Sequence, residues 1–149
     1  MCLLSVTKNH RNPIKGPIIA WKIVEVISGK VFTPFQQFRI TKKWKSAWKG
    51  TRLESNDSCC TRYKSGFHCY TTQQDAAKAR VLYMYMKTKK VIPVQIDEIT
   101  TTGIDGTTYE IKQAMLKNYV AQKIRLMPQP AKKKKNKLKR ISYVSRSHT

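Results

Sequence analysis

The sequence predicts an α+β fold, with a small mixed and mainly antiparallel sheet, one principal helix and a disordered basic C-terminal tail. Residues Ile18–Ile27 carry β-branched and aromatic side chains on both alternating faces, which is typical of a central strand buried on both sides. Residues 66–99 have the pattern of a strand, a helix and a second strand, which favours a mixed sheet over an all-helical bundle. Beyond Met127 the chain has too few apolar groups to form a core.

The 149 residues are enough for one hydrophobic core. We therefore predict a single domain over residues 1–128 and a flexible lysine-rich tail over residues 129–149. No segment approaches the roughly 18 apolar residues that a membrane span requires, and the apolar start of the chain is too short for a signal peptide. These observations predict a protein that does not contact membranes and stays in the cytoplasm where it is made.

The N-terminal half contains one clear hairpin. Residues 1–16 are polar and rich in turn formers, so we expect an arm that leads into the fold. After the strand at Ile18–Ile27, Ser28-Gly29 predicts a turn and residues 30–33 a return strand that Pro34 ends. Residues 35–65 contain no long apolar run.

A capped helix follows a short strand in the second half. Gly66–Tyr70 predicts the strand, and Thr71-Thr72 with Asp75 forms a capping arrangement that opens the helix. The helix is predicted to continue to about Lys87, where lysines lie near the negative end of the helix dipole.

Two further strands complete the predicted sheet. Residues 91–99 alternate apolar and polar side chains, which indicates a strand with one face in the core. Residues 100–110 contain two glycines and predict an exposed loop, and residues 111–116 a short helical turn. Residues 119–127 predict the last strand, with inward-facing side chains at Val120, Ile124 and Leu126.

The charge of the chain indicates a polyanionic partner. The 30 Lys and Arg residues against 8 Asp and Glu give a net charge of +22, and seven of the nine residues from Lys132 to Arg140 are basic. Phosphates would release counterions from such a surface, so we predict nucleic acid, DNA or RNA, or a nucleoprotein as the partner. Basic runs also serve as localisation signals or as contacts for acidic proteins, and these alternatives stay open.

A second basic patch lies between Arg39 and Arg52. Trp44 and Trp48 stand four residues apart, so on a helical turn they would share a face with the surrounding lysines and could stack bases. The alternative is that both tryptophans belong to the core. The predicted nucleic-acid-binding residues of the patch and the tail are Arg39, Lys42, Lys43, Trp44, Lys45, Trp48, Lys49, Arg52, Lys132, Lys133, Lys134, Lys135, Lys137, Lys139 and Arg140.

His68 and Tyr70 are the residues with a possible further function. His68 lies between two aromatic residues, and its ordinary pKa lies near neutrality, which suits an acid, a base or a phosphate contact. Alternation would place Phe67 and Cys69 on one face of the strand and His68 and Tyr70 on the other. No catalytic dyad follows from the spacing of the carboxylates, so we assign no catalytic residue and no cofactor.

The four cysteines are predicted to be free thiols. Cys2, Cys59, Cys60 and Cys69 would permit two disulfides, but a reducing cytosol favours thiols. Cys59-Cys60, His68 and Cys69 could also supply zinc ligands. Adjacent residues of an extended chain point to opposite sides, however, and do not easily share a tetrahedral ion, so we predict no metal site.

The chain resembles a group of small bacteriophage and gut-bacterial proteins that open with Met-Cys-Leu. The resemblance rests on that start, on Gly66-Phe67-His68-Cys69-Tyr70 before an alanine-rich helix and on the closing Tyr119-Val120-Ala121. It implies a phage setting and a small α+β fold, and no activity. A similar Gly-Phe-His step in phage proteins of ADP-ribosyltransferase type implies an enzyme that uses His68, but this chain lacks the Arg, Ser-Thr-Ser and Glu set of such enzymes.

Three classes of function follow from these observations. The first is a non-catalytic basic phage protein that binds nucleic acid or a nucleoprotein, mainly through phosphates. The second is a protein interaction factor, either a virion component or an inhibitor of a host defence complex. The third is the ADP-ribosyltransferase-like enzyme built around His68. All three place the protein in the cytoplasm of an infected host cell or in the virion.

Overall fold

The computed structural model describes residue 3 and residues 5–34, 37–47, 53–55, 62–80, 88–105 and 116–128. These residues form an α+β structure in which antiparallel sheet dominates and one helix packs on it. The elements in chain order are β1 (Ser5–Ile14), β2 (Ile18–Ile27), β3 (Lys30–Phe32), β4 (Arg39–Ile40), β5 (Lys45–Ser46), β6 (Leu53–Ser55), β7 (Arg62–Lys64), β8 (Phe67–Tyr70), α1 (Gln73–Arg80), β9 (Lys89–Asp105) and β10 (Leu116–Leu126).

The main sheet closes on itself. The long strand β9 pairs with β10, β10 pairs with β8, β8 pairs with β2 where Tyr70 opposes Trp21, and β2 pairs with β9 again. Strands β1, β3 and β4 extend this ring, β5 pairs with β10, and β6 and β7 form a separate hairpin. A closed ring of strands has an interior face, and the largest apolar cluster lies there.

The interior cluster is built from small and β-branched side chains. Ala20 and Val24 of β2, Val94 and Ile96 of β9, and Ala121, Ile124, Phe67 and Cys69 of β10 and β8 are buried together. Phe38 packs on this cluster, with its ring 5.3 Å from that of Phe67. Burial of this apolar surface is the main source of stability for the ring.

Helix α1 covers part of the outer face of the ring. Ala76 and Ala79 pack on Ile23, Tyr70 and Leu116. The predicted cap is confirmed: the Thr72 hydroxyl accepts a hydrogen bond of 3.1 Å from the Asp75 amide. The described helix ends at Arg80, and the predicted continuation over residues 81–87 lies outside the described residues.

The predicted hairpin of β2 and β3 is confirmed. Ser28 and Gly29 form the turn, with φ angles of 48° and 73°. Two central residues with positive φ match the right-handed twist of the flanking strands, which explains the choice of glycine at the second position.

Two predictions about irregular segments are wrong. The N-terminal segment is an edge strand instead of an arm, because β9 supplies hydrogen-bonding partners for the polar residues of β1. The segment that begins at Thr100 continues β9 to Asp105 instead of forming a loop, because β1 and β10 pair with it on both edges. Glu98, with a φ of 54°, lies at the adjacent irregularity and lets Ile96 and Ile99 reach the same core.

The last strand begins earlier than predicted. Strand β10 starts at Leu116, so this residue is not part of a helical turn, and residues 111–115 lie outside the described residues. Ile124 is fully buried and Leu126 packs against the interior cluster, as predicted. Val120 is also buried, but it packs with Leu3 and Tyr63 outside the ring, because a register shift between Val120 and Ala121 changes the face on which it lies. The strand ends at Leu126, and the division into a domain over 1–128 and a tail stays a prediction.

Lys22 is a charged residue on the interior side of β2. It lies on the same face of the strand as Ala20 and Val24, and it is 8% exposed. Its Nζ donates a hydrogen bond of 2.7 Å to the His68 carbonyl oxygen. Burial lowers the pKa of Lys22, and the neighbouring Cys69 opposes this shift. Lys22 forms no ion pair with a carboxylate in the described part of the chain, so its ammonium form is poorly compensated.

We expect Lys22→Met to stabilise the protein by about 1–3 kcal/mol near neutral pH, because methionine fills similar space without a buried charge. The pKa of Lys22 is lowered from 10.5, so the unfolded chain binds more protons between the folded pKa and 10.5. This difference makes the stability of the native protein rise with pH across that window. Urea unfolding should therefore show that the variant has the larger free energy of unfolding, and that its advantage over the native protein shrinks towards about pH 10. A variant less stable than the native protein at neutral pH contradicts this account.

Candidate functional site

The basic segment around Trp44 is a loop followed by the short strand β5, and it is hydrogen-bonded to the edge of β10. The Leu126 amide donates to the Thr41 carbonyl at 2.8 Å, and the Ala47 amide donates to the Gln122 carbonyl at 2.7 Å. Lys45 of β5 pairs with Ile124. Residues 39–47 therefore do not form the helical turn on which Trp44 would share a face with Trp48, because β3 and β10 pair with the backbone of this segment instead.

Trp44 is stacked against a residue that the sequence did not indicate. The guanidinium carbon of Arg125 lies 4.4 Å from the centroid of the Trp44 ring, a distance typical of a cation–π contact. The Nε of Arg125 also donates a hydrogen bond of 2.7 Å to Gln95 Oε1, which fixes the orientation of the guanidinium plane. The half-buried Trp44 thus lies against a side chain of the neighbouring strand β10.

Four further described cations lie within five residues of Trp44 in the chain, and we call the whole group the tryptophan surface: Arg39, Lys42, Lys43, Trp44, Lys45 and Arg125. Arg39, Lys42 and Lys43 are exposed, and Lys45 is half-buried. The nearby Glu98 is engaged by Lys123, with 2.7 Å between Nζ and Oε1, and this hydrogen bond raises the pKa of Lys123. In the described ranges, none of the cations of the tryptophan surface forms an ion pair.

The other predicted nucleic-acid contacts cannot be placed on this surface. Trp48, Lys49 and Arg52 lie outside the described residues, as do the basic residues of the tail, Lys132 to Lys135, Lys137, Lys139 and Arg140. Of the predicted site residues, the structure describes Arg39, Lys42, Lys43, Trp44 and Lys45 in this segment, and it adds Arg125 beside Trp44.

His68 and Tyr70 are both buried. The His68 ring packs edge-on against Tyr63, with 5.9 Å between ring centroids, and Tyr70 lies under α1 with Ala76 and Ala79. The predicted alternation is confirmed, since Phe67 and Cys69 belong to the interior cluster. The position of His68 under Tyr63 gives it a packing role in the layer outside the ring.

The cysteine predictions concern mostly residues that the structure does not describe. Cys69 is a free and fully buried thiol, and burial raises its pKa. Cys2, Cys59 and Cys60 lie outside the described residues. Within the described ranges, no three His, Cys, Asp or Glu side chains cluster as metal ligands would.

Comparisons of the chain with protein-family models, with curated proteins and with solved structures each find no match. The resemblance to small phage and gut-bacterial proteins therefore stays a prediction, and function is argued from the residues themselves. Among the helices in the described part of the chain, none has the length and apolar character to cross a bilayer.

Proposed function

We propose that this chain is a small basic protein that binds nucleic acid, without catalysis, through phosphate contacts and base stacking at the tryptophan surface. The observation that carries the proposal is the Arg125 guanidinium over Trp44, 4.4 Å from its ring centroid, within a group of cations that form no ion pair with another described residue. Unstacked bases commonly bind to aromatic rings and to arginine planes, and this surface offers both in one stack.

The charges around the stack suit a phosphate backbone better than a single small anion. Arg39 of β4 and Lys42 and Lys43 in the loop that follows are all exposed, so several phosphates can be contacted by neighbouring side chains. Each contact releases condensed counterions, which makes binding favourable and strongly dependent on salt. Contacts of this kind carry little sequence information, so we propose binding with low sequence selectivity.

The basic run at residues 132–140 adds charge to the same function. We propose that it acts as an electrostatic tether, which raises the association rate and the overall affinity for DNA or RNA. In keeping with the predicted phage setting, the protein would act in the cytoplasm of an infected cell or within the virion, on nucleic acid or a nucleoprotein.

Replacing Trp44 with leucine tests the stacking contribution. We expect about tenfold weaker binding to single-stranded DNA or RNA, because one base–aromatic stack contributes roughly 1–3 kcal/mol. Binding to duplex should change much less, since its bases are already stacked. Fluorescence polarisation with labelled oligonucleotides of both forms measures the two effects.

Phe38→Leu is the matched control for the loss of an aromatic ring from this segment. Phe38 packs inward on Phe67, so its replacement lowers stability without changing the tryptophan surface. We expect this variant to bind single strands like the native protein. If the Trp44→Leu variant binds single strands as tightly as the native protein does, base stacking at Trp44 is contradicted. If the protein binds a host or virion protein and does not bind nucleic acid, the interaction factor is supported instead.

A further inference from the structure

A basic cleft lies between β1, β7 and β9, away from the residues that the sequence indicated. It holds about 300 Å³, a volume at the lower end of ligand sites in proteins. Its rim carries the exposed side chains of Arg11, Arg62 and Lys64, and His10 also lines it. The lining of the cleft includes no carboxylate among the described residues, so the charged groups that line it are cations.

The floor of the cleft is polar and fixed. Thr100 and Thr101 are buried there, and the Thr101 hydroxyl donates a hydrogen bond of 2.9 Å to Asn9 Oδ1. The Asn9 Nδ2 in turn donates 3.1 Å to the Arg62 carbonyl oxygen, which ties β1 to β7. This network joins β1 and β7, the two strands whose arginines line the cleft.

The chemistry of the rim selects an oxyanion. Arg11 and Arg62 are guanidinium groups, whose fork of donors matches phosphate or carboxylate oxygens, and Lys64 adds a third cation. Tyr63, the aromatic residue of the lining, is only 1% exposed, so the cleft offers little ring surface for a base. A phosphate group therefore fits the cleft better than a nucleobase.

The cleft and the tryptophan surface border the same residue. The Gln122 carbonyl accepts the hydrogen bond from Ala47, three residues after Trp44. The Gln122 side chain donates 3.2 Å to the Thr100 hydroxyl on the cleft floor and 2.9 Å to the Ser65 carbonyl, next to Lys64. Both basic surfaces therefore lie beside the same stretch of β10.

We propose that the cleft binds a backbone phosphate of the same nucleic-acid chain whose bases stack at Trp44. This inference rests on the proposed function and adds a second contact site to it. The Arg11→Gln/Arg62→Gln variant should bind single-stranded oligonucleotides about tenfold more weakly and lower the salt slope by about two, one for each lost phosphate contact. The matched control is Lys78→Gln/Arg80→Gln, which removes two exposed cations from α1.

The deciding experiment is an NMR titration of the full-length ¹⁵N-labelled protein with an oligonucleotide, a mononucleotide and inorganic phosphate. Supporting results are shifts of the Asn9 and Thr101 amides and the Trp44 indole with the oligonucleotide, with the amide shifts lost in the cleft variant and kept in the control. If the Trp44 signal shifts and the Asn9 and Thr101 amide signals do not, the cleft is not a phosphate site, and the proposed function is unaffected. Cleft shifts with a silent Trp44 support the phosphate site and overturn the stacking site.

The titrations with the mononucleotide and with inorganic phosphate distinguish the source of the phosphate. Cleft shifts that are much larger with the oligonucleotide than with the mononucleotide or inorganic phosphate support a nucleic-acid chain as the ligand. Equal shifts with the mononucleotide overturn the shared path and assign the cleft to a free nucleotide. If none of the three ligands shifts the cleft amides or the Trp44 indole, the proposed phosphate site and the proposed function are both overturned.

Discussion

Reversing two charges of the tryptophan surface, in the variant Lys42→Glu/Lys43→Glu, should weaken binding to single-stranded nucleic acid roughly 10- to 100-fold at low salt. Both side chains are exposed and belong to the loop between β4 and β5, so the change should leave the fold intact. The loss arises because two phosphate contacts disappear and two carboxylates then repel the backbone. Fluorescence polarisation at about 50 mM salt provides the measurement.

The same change in net charge elsewhere separates a local effect from a general one. Lys30→Glu/Lys78→Glu alters two exposed lysines on β3 and α1, outside the tryptophan surface. We expect this control to lose only a few-fold in affinity, because the net charge falls equally but no contact is removed. Equal losses in the two variants contradict a defined surface and indicate binding by total charge alone.

Replacing Gly66 with alanine should destabilise the protein by about 2–4 kcal/mol, the range of substitutions that force a backbone to move. A Cβ atom at this position would lie 2.6 Å from the Ala121 carbonyl oxygen and 2.8 Å from Gln122 Nε2. Neither the strand β10 nor the buried Gln122 can yield without disturbing the ring. Thermal and urea unfolding measure the loss.

Gly29→Asn is the matched control for loss of a glycine. No atom lies within 4 Å of a Cβ at Gly29, and its positive φ is one that asparagine adopts readily. We expect a change below about 1 kcal/mol for this variant. If the Gly66→Ala variant is as stable as the native protein, the backbones at Gly66 and Ala121 do not approach as closely as described.

Local signals in the sequence predicted the elements that depend on local chemistry. The β-branched run of β2, the Ser28-Gly29 turn and the Thr72 cap each act over a few residues, and all three are confirmed. Strand β1 was missed because its polar residues carry no apolar alternation. It exists because the distant strand β9 supplies backbone partners, and such pairing cannot be seen in a local pattern.

The candidate site was predicted only in part for a related reason. Arg39, Lys42, Lys43 and Lys45 stand close together in the sequence, so their charge was evident beside Trp44. Arg125 joins them only because β5 pairs with β10, and nothing in its own segment indicated this contact. The cleft was not predicted for the same reason, since Arg11 and Arg62 line one cleft only because β1 packs against β7.

The salt dependence of binding by the full-length protein tests the central claim most directly. Affinities for single-stranded and duplex DNA and RNA should be measured from about 50 to 200 mM salt, and the slope of log K against log salt determined. Our account predicts a steep negative slope for every form, with single strands bound more tightly through Trp44. A flat slope, or no binding at low salt, contradicts the assignment of phosphates as the ligand of the tryptophan surface.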